Sequence, residues 1–463
     1  MTSAPMTPAD IAAFAPDAPP DGNPRGGLRD ALVQQGRYGP NQTAGRFYPG
    51  ACAAIEVTQR CNLDCSLCYL SEAAELSRDP PIDLLLSRVD MLSRHFGPGA
   101  NIQITGGDPT LRKIDDLETL IHRIRSHGMR ACLMTNGIRA KRPFLERLAK
   151  AGLNDIAFHV DLTEERAGYS TEKALNEVRL EYLGRAEGLG LRVLFNTTIF
   201  DGNIDEIPML AAFFRDHADK VTLAGFQMQA DTGRGVLRRR SEALTIERAI
   251  AALETGFGGP LHFDTAAIAH ESCNRYAHVL AGQGQGVSLL SNRRLFEDAV
   301  TAIEKADRSD AAYVDLAPAF FRIAWRKPWI AARILAEAVK SAWEMRTLLL
   351  RGKAGRMSIT IHNFMDAKSL DRERCEACIF KVATEDGPLS MCVHNARRDH
   401  HLFTPARVGD GWWSAATGET TKAPDFVLPD VKSASVKRLK GRTRADALAG
   451  HPNFRERRQF AAE

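Results

Sequence analysis

The chain has 463 residues, 44% of them hydrophobic and 25% charged, which allows one large α/β domain plus a second unit of an ordinary globular protein. Sixty-one Lys and Arg against 57 Asp and Glu leave a formal charge of +4, too slight to argue for a nucleic-acid partner. No uninterrupted apolar run approaches the ~20 residues of a membrane span, and the Asp- and Pro-containing N-terminus shows no apolar export signal, so a cytoplasmic protein is expected.

Residues 1–47, rich in Ala, Pro, Gly and Asp, are expected to be a loose N-terminal segment. A core domain is expected over 48–260, where short β-branched runs alternate with longer amphipathic stretches. The runs are Ala54–Val57, Ile102–Thr105, Ala131–Thr135, Ile156–Asp161, Val193–Ile199 and Val221–Gln227. The helical segments between them are Leu84–Phe96, Leu117–His127, Phe144–Ala151, Ala174–Glu187 and Ile204–His217, with a sixth at Leu244–Leu253. Strands alternating with helices predict a parallel sheet, which binds ligands at the carboxyl ends of its strands. The alternation fades beyond Leu261; residues 286–350 read as helical, 261–423 as a second region, and 424–463 as a basic tail.

Six of the nine cysteines fall into two groups, 61/65/68 and 375/378/392, while Cys52 and Cys132 read as small apolar residues in or beside strands. Clustered cysteines in a chain expected to stay inside the cell point to metal sites rather than disulfides. The first group, Thr58-Gln-Arg-Cys61-Asn-Leu-Asp-Cys65-Ser-Leu-Cys68-Tyr69, directly follows the first strand. Three thiolates on one loop can hold three corners of an iron–sulfur cube and leave one iron open. A structural zinc site wants a fourth ligand, and none is adjacent.

This loop resembles the signature of the radical S-adenosylmethionine (SAM) superfamily, and Tyr69, the aromatic after the third cysteine, fits its pattern. The resemblance covers roughly residues 53–230. It implies an α/β fold, a partial (β/α)6 barrel, and a [4Fe–4S] cluster on Cys61, Cys65 and Cys68 whose open iron is chelated by SAM. One electron then cleaves SAM to methionine and a 5′-deoxyadenosyl radical. Thr105-Gly106-Gly107-Asp108-Pro109 resembles the family's Gly-Gly-Glu motif, with Asp108 in place of Glu. Further SAM contacts are expected at the strand ends: Asn136 after the third strand, Asp161 at the fourth, and Asn196 and Thr198 in the fifth. Gly225-Phe226-Gln227 lies at the sixth.

In the C-terminal region, Ile361-His362-Asn363-Phe364-Met365-Asp366 precedes Cys375 and Cys378, and Asp386-Gly387 precedes Cys392. A closed cluster needs four ligands, and Cys273, just past the core, is the candidate fourth. This region is similar to a branch of the superfamily that holds class D radical methyltransferases acting on pterins and archaeal tetraether lipid synthases. That branch often carries additional upstream cysteines, which this chain lacks. The resemblance therefore implies one catalytic and one auxiliary [4Fe–4S] cluster, the latter in a C-terminal iron–sulfur region. It also implies hydrogen abstraction from an unactivated carbon, followed by C–C bond formation or methyl transfer on a small-molecule or lipid substrate. The reductant would be an external donor such as flavodoxin or ferredoxin. The alternatives are a radical SAM maturase acting on a peptide or protein, and a non-catalytic zinc-binding protein.

Two other stretches stand out. Phe320–Leu350 interleaves Trp325, Trp329, Trp343 and many aliphatics with Arg322, Arg326, Lys327, Arg333, Lys340 and Arg346, and Pro328 divides it. This reads either as an element in peripheral contact with the inner membrane surface or as core-packing helices with solvated basic residues. Gly233–Arg240 is a basic run that reads as an anion-binding or solvated loop.

Overall fold

A computed structural model describes residues 5–19, 34, 52–233, 240–265, 270–289, 291–306 and 316–427. The tail from 428 onward and residues 234–239 of the basic run lie outside them.

Six β/α units open the fold. The strands are β1 (Cys52–Thr58), β2 (Asn101–Gly106), β3 (Arg130–Thr135), β4 (Asp155–His159), β5 (Arg192–Ile199) and β6 (Val221–Met228). Each is followed by a helix: 82–96, 114–126, 142–150, 172–186, 207–216 and 246–257. The strands are buried almost continuously, as β1 shows from Cys52 to Ile55, because helices cover one face and the barrel interior occupies the other. The helices carry a single apolar stripe: in 82–96 it runs Leu85, Val89, Leu92, Phe96, the spacing of one helical face.

More strands join this sheet than the fading alternation predicts. These are β7 (Asn274–Gly282), β8 (Gln285–Ser288), β9 (Gly355–Asn363), β10 (Phe380–Ala383) and β11 (Pro388–Ser390). The order is β11-β10-β1-β2-β3-β4-β5-β6-β9-β7-β8. Pairing is parallel from β10 through β1–β6 to β9, and antiparallel at both edges. The sheet curls until its two parallel flanks meet: His362 at the end of β9 packs edge-on against Phe380 at the start of β10, ring centroids 4.4 Å apart. That the end of one strand meets the start of the other is the stagger of tilted strands in a closing barrel.

Between β8 and β9 lie helices 293–306, 316–326, 328–344 and 346–350, with Pro328 opening the third. The first three pack around Leu295, Ala302, Ile323 and Ile330.

The N-terminal segment departs from the loose reading over its described part. Thr7 and Asp10 form a reciprocal capping box for a helix at Pro8–Ala13. Met6, Ile11 and Phe14 then pack against Met365, Leu370, Cys375, Leu389 and Cys392. Asp17 bridges Lys381 of β10 at 2.7 Å, both almost fully buried. These contacts are to residues more than 350 positions away, so the composition of the segment alone does not reveal them.

Candidate active site

The cysteine loop leaves β1 and is pinned on two sides. On one, the Gly107 and Asp108 amides donate to the carbonyls of Thr58 (2.7 Å) and Arg60 (2.8 Å). Both glycines are required by that approach: a Cβ would stand 2.0 Å from the Thr58 oxygen at Gly106, whose φ is +122°, and 2.0 Å from the Arg60 oxygen at Gly107. On the other side, the Ser66 amide donates to the Thr163 carbonyl at 2.8 Å. Tyr69 reaches back so that its hydroxyl donates to the Gly106 carbonyl. Cys61, Cys65 and Cys68 are part-exposed, and Cys65 is close enough to feel both of the others. Burial pushes the Cys65 thiol up, and Glu164, Cys68 and Cys61 push it further.

The polar residues expected at the strand ends divide into two kinds. Asp108 and Asp161 are buried supports. The Asp108 carboxylate accepts from the Thr110 amide and hydroxyl, the Thr135 hydroxyl and the Asn136 amide. Asp161 accepts from the Thr163 amide (2.8 Å) and the Thr198 amide (2.6 Å), and His159 Nε2 lies 2.8 Å from its carboxylate. Asn136 faces the cysteine loop: its Nδ2 donates to Asn62 Oδ1 at 2.7 Å and lies 4.0 Å from Cys61 Sγ. Asn196 and Thr198 instead line a cavity inside the barrel, and a Cβ at Gly225 would stand 2.5 Å from Asn196 Oδ1.

That cavity, of about 260 Å3, is walled by strands β1–β6, β7, β9 and β10. Leu67 and Tyr69 border it at the cysteine loop, and Glu56, His159 and Arg398 bring charge to its wall. Arg398 donates to Glu56 at 2.6 Å and lies over the Tyr69 ring, 4.6 Å from its centroid. Burial raises the Glu56 carboxyl, but Arg398 and His394 overcome this and hold it at about 2. Burial likewise works against a charge on His159, yet Asp161 lifts its pKa to about 9. His159 and Arg398 were absent from the sequence-derived set. A His-x-Asp spacing on one strand face was the available signal for His159; Arg398 lies 342 positions from Glu56, with no local cue.

Residues 55–214 match the family profile "Radical SAM superfamily". They form a radical SAM domain. Among similar proteins, 7,8-dihydro-6-hydroxymethylpterin dimethyltransferase of Methanocaldococcus jannaschii is 29% identical over 188 residues, 39% of this chain and 37% of that protein. The GTP 3′,8-cyclase of Aquifex aeolicus is 35% identical over 171 residues, 35% of this chain and 52% of that one. The chain thus spans about half or less of the length of these relatives. A solved structure of Streptococcus suis SuiB bound to precursor peptide SuiA aligns at 15% identity and a TM-score of 0.34, covering 47% of each chain.

A radical SAM domain binds a [4Fe–4S] cluster and SAM, and the residues present fit them. The three thiols stand part-exposed on one loop, and Leu67 and Tyr69 beside them line the mainly apolar cavity inside the barrel. No three His, Cys, Asp or Glu side chains among the described residues are drawn together tightly enough for a single metal ion. Three thiolates on one loop can hold three corners of an iron–sulfur cube.

The second cysteine group assembles at the barrel seam. Cys273 precedes β7, Cys375 lies in helix 372–376, Cys378 precedes β10, and Cys392 lies in helix 391–396 after the β10–β11 turn at Asp386-Gly387. Cys378 helps raise the pKa of Cys273, Cys375 and Cys392, Cys273 that of Cys375 and Cys392, and Cys375 that of Cys392, so the four thiols lie within electrostatic reach of one another. Burial is the largest cause for each of Cys273, Cys375 and Cys392, and Arg374 opposes it at Cys273, donating to that Sγ at 3.2 Å. The group is more sealed than the first: Cys273, Cys375 and Cys392 are buried. Cys52 and Cys132 lie in β1 and β3 as buried core residues.

Proposed function

We propose that the enzyme abstracts hydrogen from an unactivated carbon of a substrate held in the barrel cavity, leading to C–C bond formation or methyl transfer on an amphiphilic, lipid-like molecule. The observation that carries this reading is the cavity's position between the two cysteine groups. Leu67 and Tyr69, which flank Cys68, line it on one side. Asn274, Phe380 and Met391, one or two residues from Cys273, Cys378 and Cys392, line it on the other.

When bound, the cluster on Cys61, Cys65 and Cys68 supplies one electron to SAM and so a 5′-deoxyadenosyl radical. The chain's own residues orient and enclose. Gly106 and Gly107 let the end of β2 close against the cysteine loop, with Asp108 fixing that end to β3. Asn136, Asn196 and Thr198 offer polar contacts to SAM. Tyr69, stacked under Arg398, joins the loop to the C-terminal region. His159, protonated beside Asp161, presents a cation to an anionic group in the cavity. Cys273, Cys375, Cys378 and Cys392 would hold a second [4Fe–4S] cluster with no open iron, suited to electron transfer or substrate positioning. An external one-electron donor such as flavodoxin or ferredoxin completes the reaction.

Anaerobic incubation of the reconstituted protein with SAM, reductant and host lipid extract tests this by mass spectrometry. We expect 5′-deoxyadenosine together with a lipid of altered mass. If 5′-deoxyadenosine forms while every lipid mass is unchanged, the lipid reading fails and the radical chemistry stands.

A further inference from the structure

Helix 328–344 is apolar on two faces and covered on one. Its own Ile330, Ala331 and Ser341 are buried. Around the helix from them, Trp329 is 61% exposed and Trp343 68%, with Leu335 and Val339 exposed between. Arg333 and Lys340, seven residues apart, form a basic strip beside that open face. The preceding helix 316–326 adds Phe321, 71% exposed, and Trp325, 88% exposed; Leu350 lies open after the turn. Three of the chain's five tryptophans are thus exposed on these two helices. Burying large aromatics is worth more than leaving them in water, and contiguous open apolar surface of this kind marks an interaction site.

We propose that helices 316–326 and 328–344 are a docking surface for an anionic phospholipid bilayer. Charge chooses this occupant over a second copy of the chain. Residues 316–344 carry five Lys and Arg against two Glu, so two such faces brought together repel, whereas an anionic headgroup layer attracts both. Trp rings above a strip of Arg and Lys suit the boundary between headgroups and acyl chains, where the ring is buried and the cation stays wet. The element lies on the membrane rather than across it, since no described helix is long and apolar enough to span one. Met345 and Leu348 seat this unit against Leu280 of β7, at the sheet edge away from the cysteine loop. The proposal rests on exposure and charge alone and stands apart from the reading of the cavity's chemistry, although it would bring the enzyme to an amphiphilic substrate.

The test is sedimentation of the anaerobically purified full chain with phosphatidylcholine vesicles, and with the same vesicles containing phosphatidylglycerol. We expect pelleting with the anionic vesicles and a blue shift of tryptophan emission. The bound fraction should fall several-fold at about 1 M salt, where the screening length is about 3 Å. Trp329→Ser with Trp343→Ser, and separately Arg333→Glu with Lys340→Glu, should each reduce binding at least about ten-fold while SAM cleavage is unchanged. All four residues lie on the surface, so these variants keep the fold. Absence of pelleting at low salt overturns the proposal. So does a vesicle-free dimer, seen by analytical ultracentrifugation, that the Trp variant dissolves, for then a second copy covers the face.

Discussion

His362 and Phe380 close the barrel. Their rings meet edge-on across the seam between β9 and β10, and the residues around them carry the second cysteine group. The Asn363 amide donates to the Cys273 carbonyl at 2.8 Å, and Cys378 lies two residues before Phe380. Burial, reinforced by Arg374, lowers the His362 pKa to about 3. The imidazole is therefore neutral, and Asn274 Nδ2 contacts its Nδ1 at 3.1 Å. The seam is at once a wall of the cavity and the frame for four thiols.

The second group is expected to bind iron as one unit. A closed cluster needs all four thiolates, so Cys273→Ala should lose about four irons per chain while keeping some SAM cleavage. Iron content measured after anaerobic reconstitution decides this; an unchanged value removes Cys273 from the ligand set.

Asp108 is expected to act on stability before it acts on SAM. Asp108→Ala leaves the amides of Thr110 and Asn136 and the hydroxyls of Thr110 and Thr135 without their acceptor in a buried site. The cost should be about 3 kcal/mol or more, measured by denaturant unfolding. Wild-type stability combined with lost SAM affinity would instead make the carboxylate a ligand.

The N-terminal segment is expected to hold the C-terminal region through a buried charge pair. Asp17→Asn strands the Lys381 ammonium and should cost about 3–5 kcal/mol. Asp17→Leu with Lys381→Met should recover most of that loss, because both charges then disappear together. Equal stability of Asp17→Asn and wild type would show that the segment is not docked.

Stability should also depend on pH through His159. Its pKa rises from an ordinary 6.5 to about 9 in the folded chain, where Asp161 outweighs burial. A group with a raised folded pKa stabilises fully below its unfolded value, and that contribution is lost as pH climbs through the folded value. The stability gap between wild type and His159→Gln should therefore be largest at or below about pH 6 and shrink between about pH 6.5 and pH 9. Unfolding curves across that range check it; a constant gap would mean the imidazole is not protonated beside Asp161.

What could be read from the chain was local. The six β/α units follow from short-range periodicity, and the cysteine loop from C-x3-C-x2-C spacing directly after a strand. Asp108 was visible as part of a Gly-Gly-Asp turn, but its hydrogen bonds to Thr135 and Asn136 depend on which strand lies beside β2. Arg398 on Glu56, and Asp17 on Lys381, join residues several hundred positions apart, which no window of sequence contains. β9 was hidden because it follows helices rather than completing a β/α repeat, although the alternation in Met357, Ile359 and Ile361 was there. Met6, Ile11 and Phe14 sit in a Pro- and Ala-rich segment, and only the Thr7–Asp10 capping pair marked it as ordered.

The central claim is that the loop bearing Cys61, Cys65 and Cys68 supports reductive cleavage of SAM. The direct measurement is 5′-deoxyadenosine formed anaerobically from SAM and a strong reductant, by wild type and by Cys65→Ala, each after iron–sulfur reconstitution. The account predicts 5′-deoxyadenosine and methionine from wild type and none above background from the variant, which has lost one of three protein ligands. Undiminished 5′-deoxyadenosine from Cys65→Ala would contradict it.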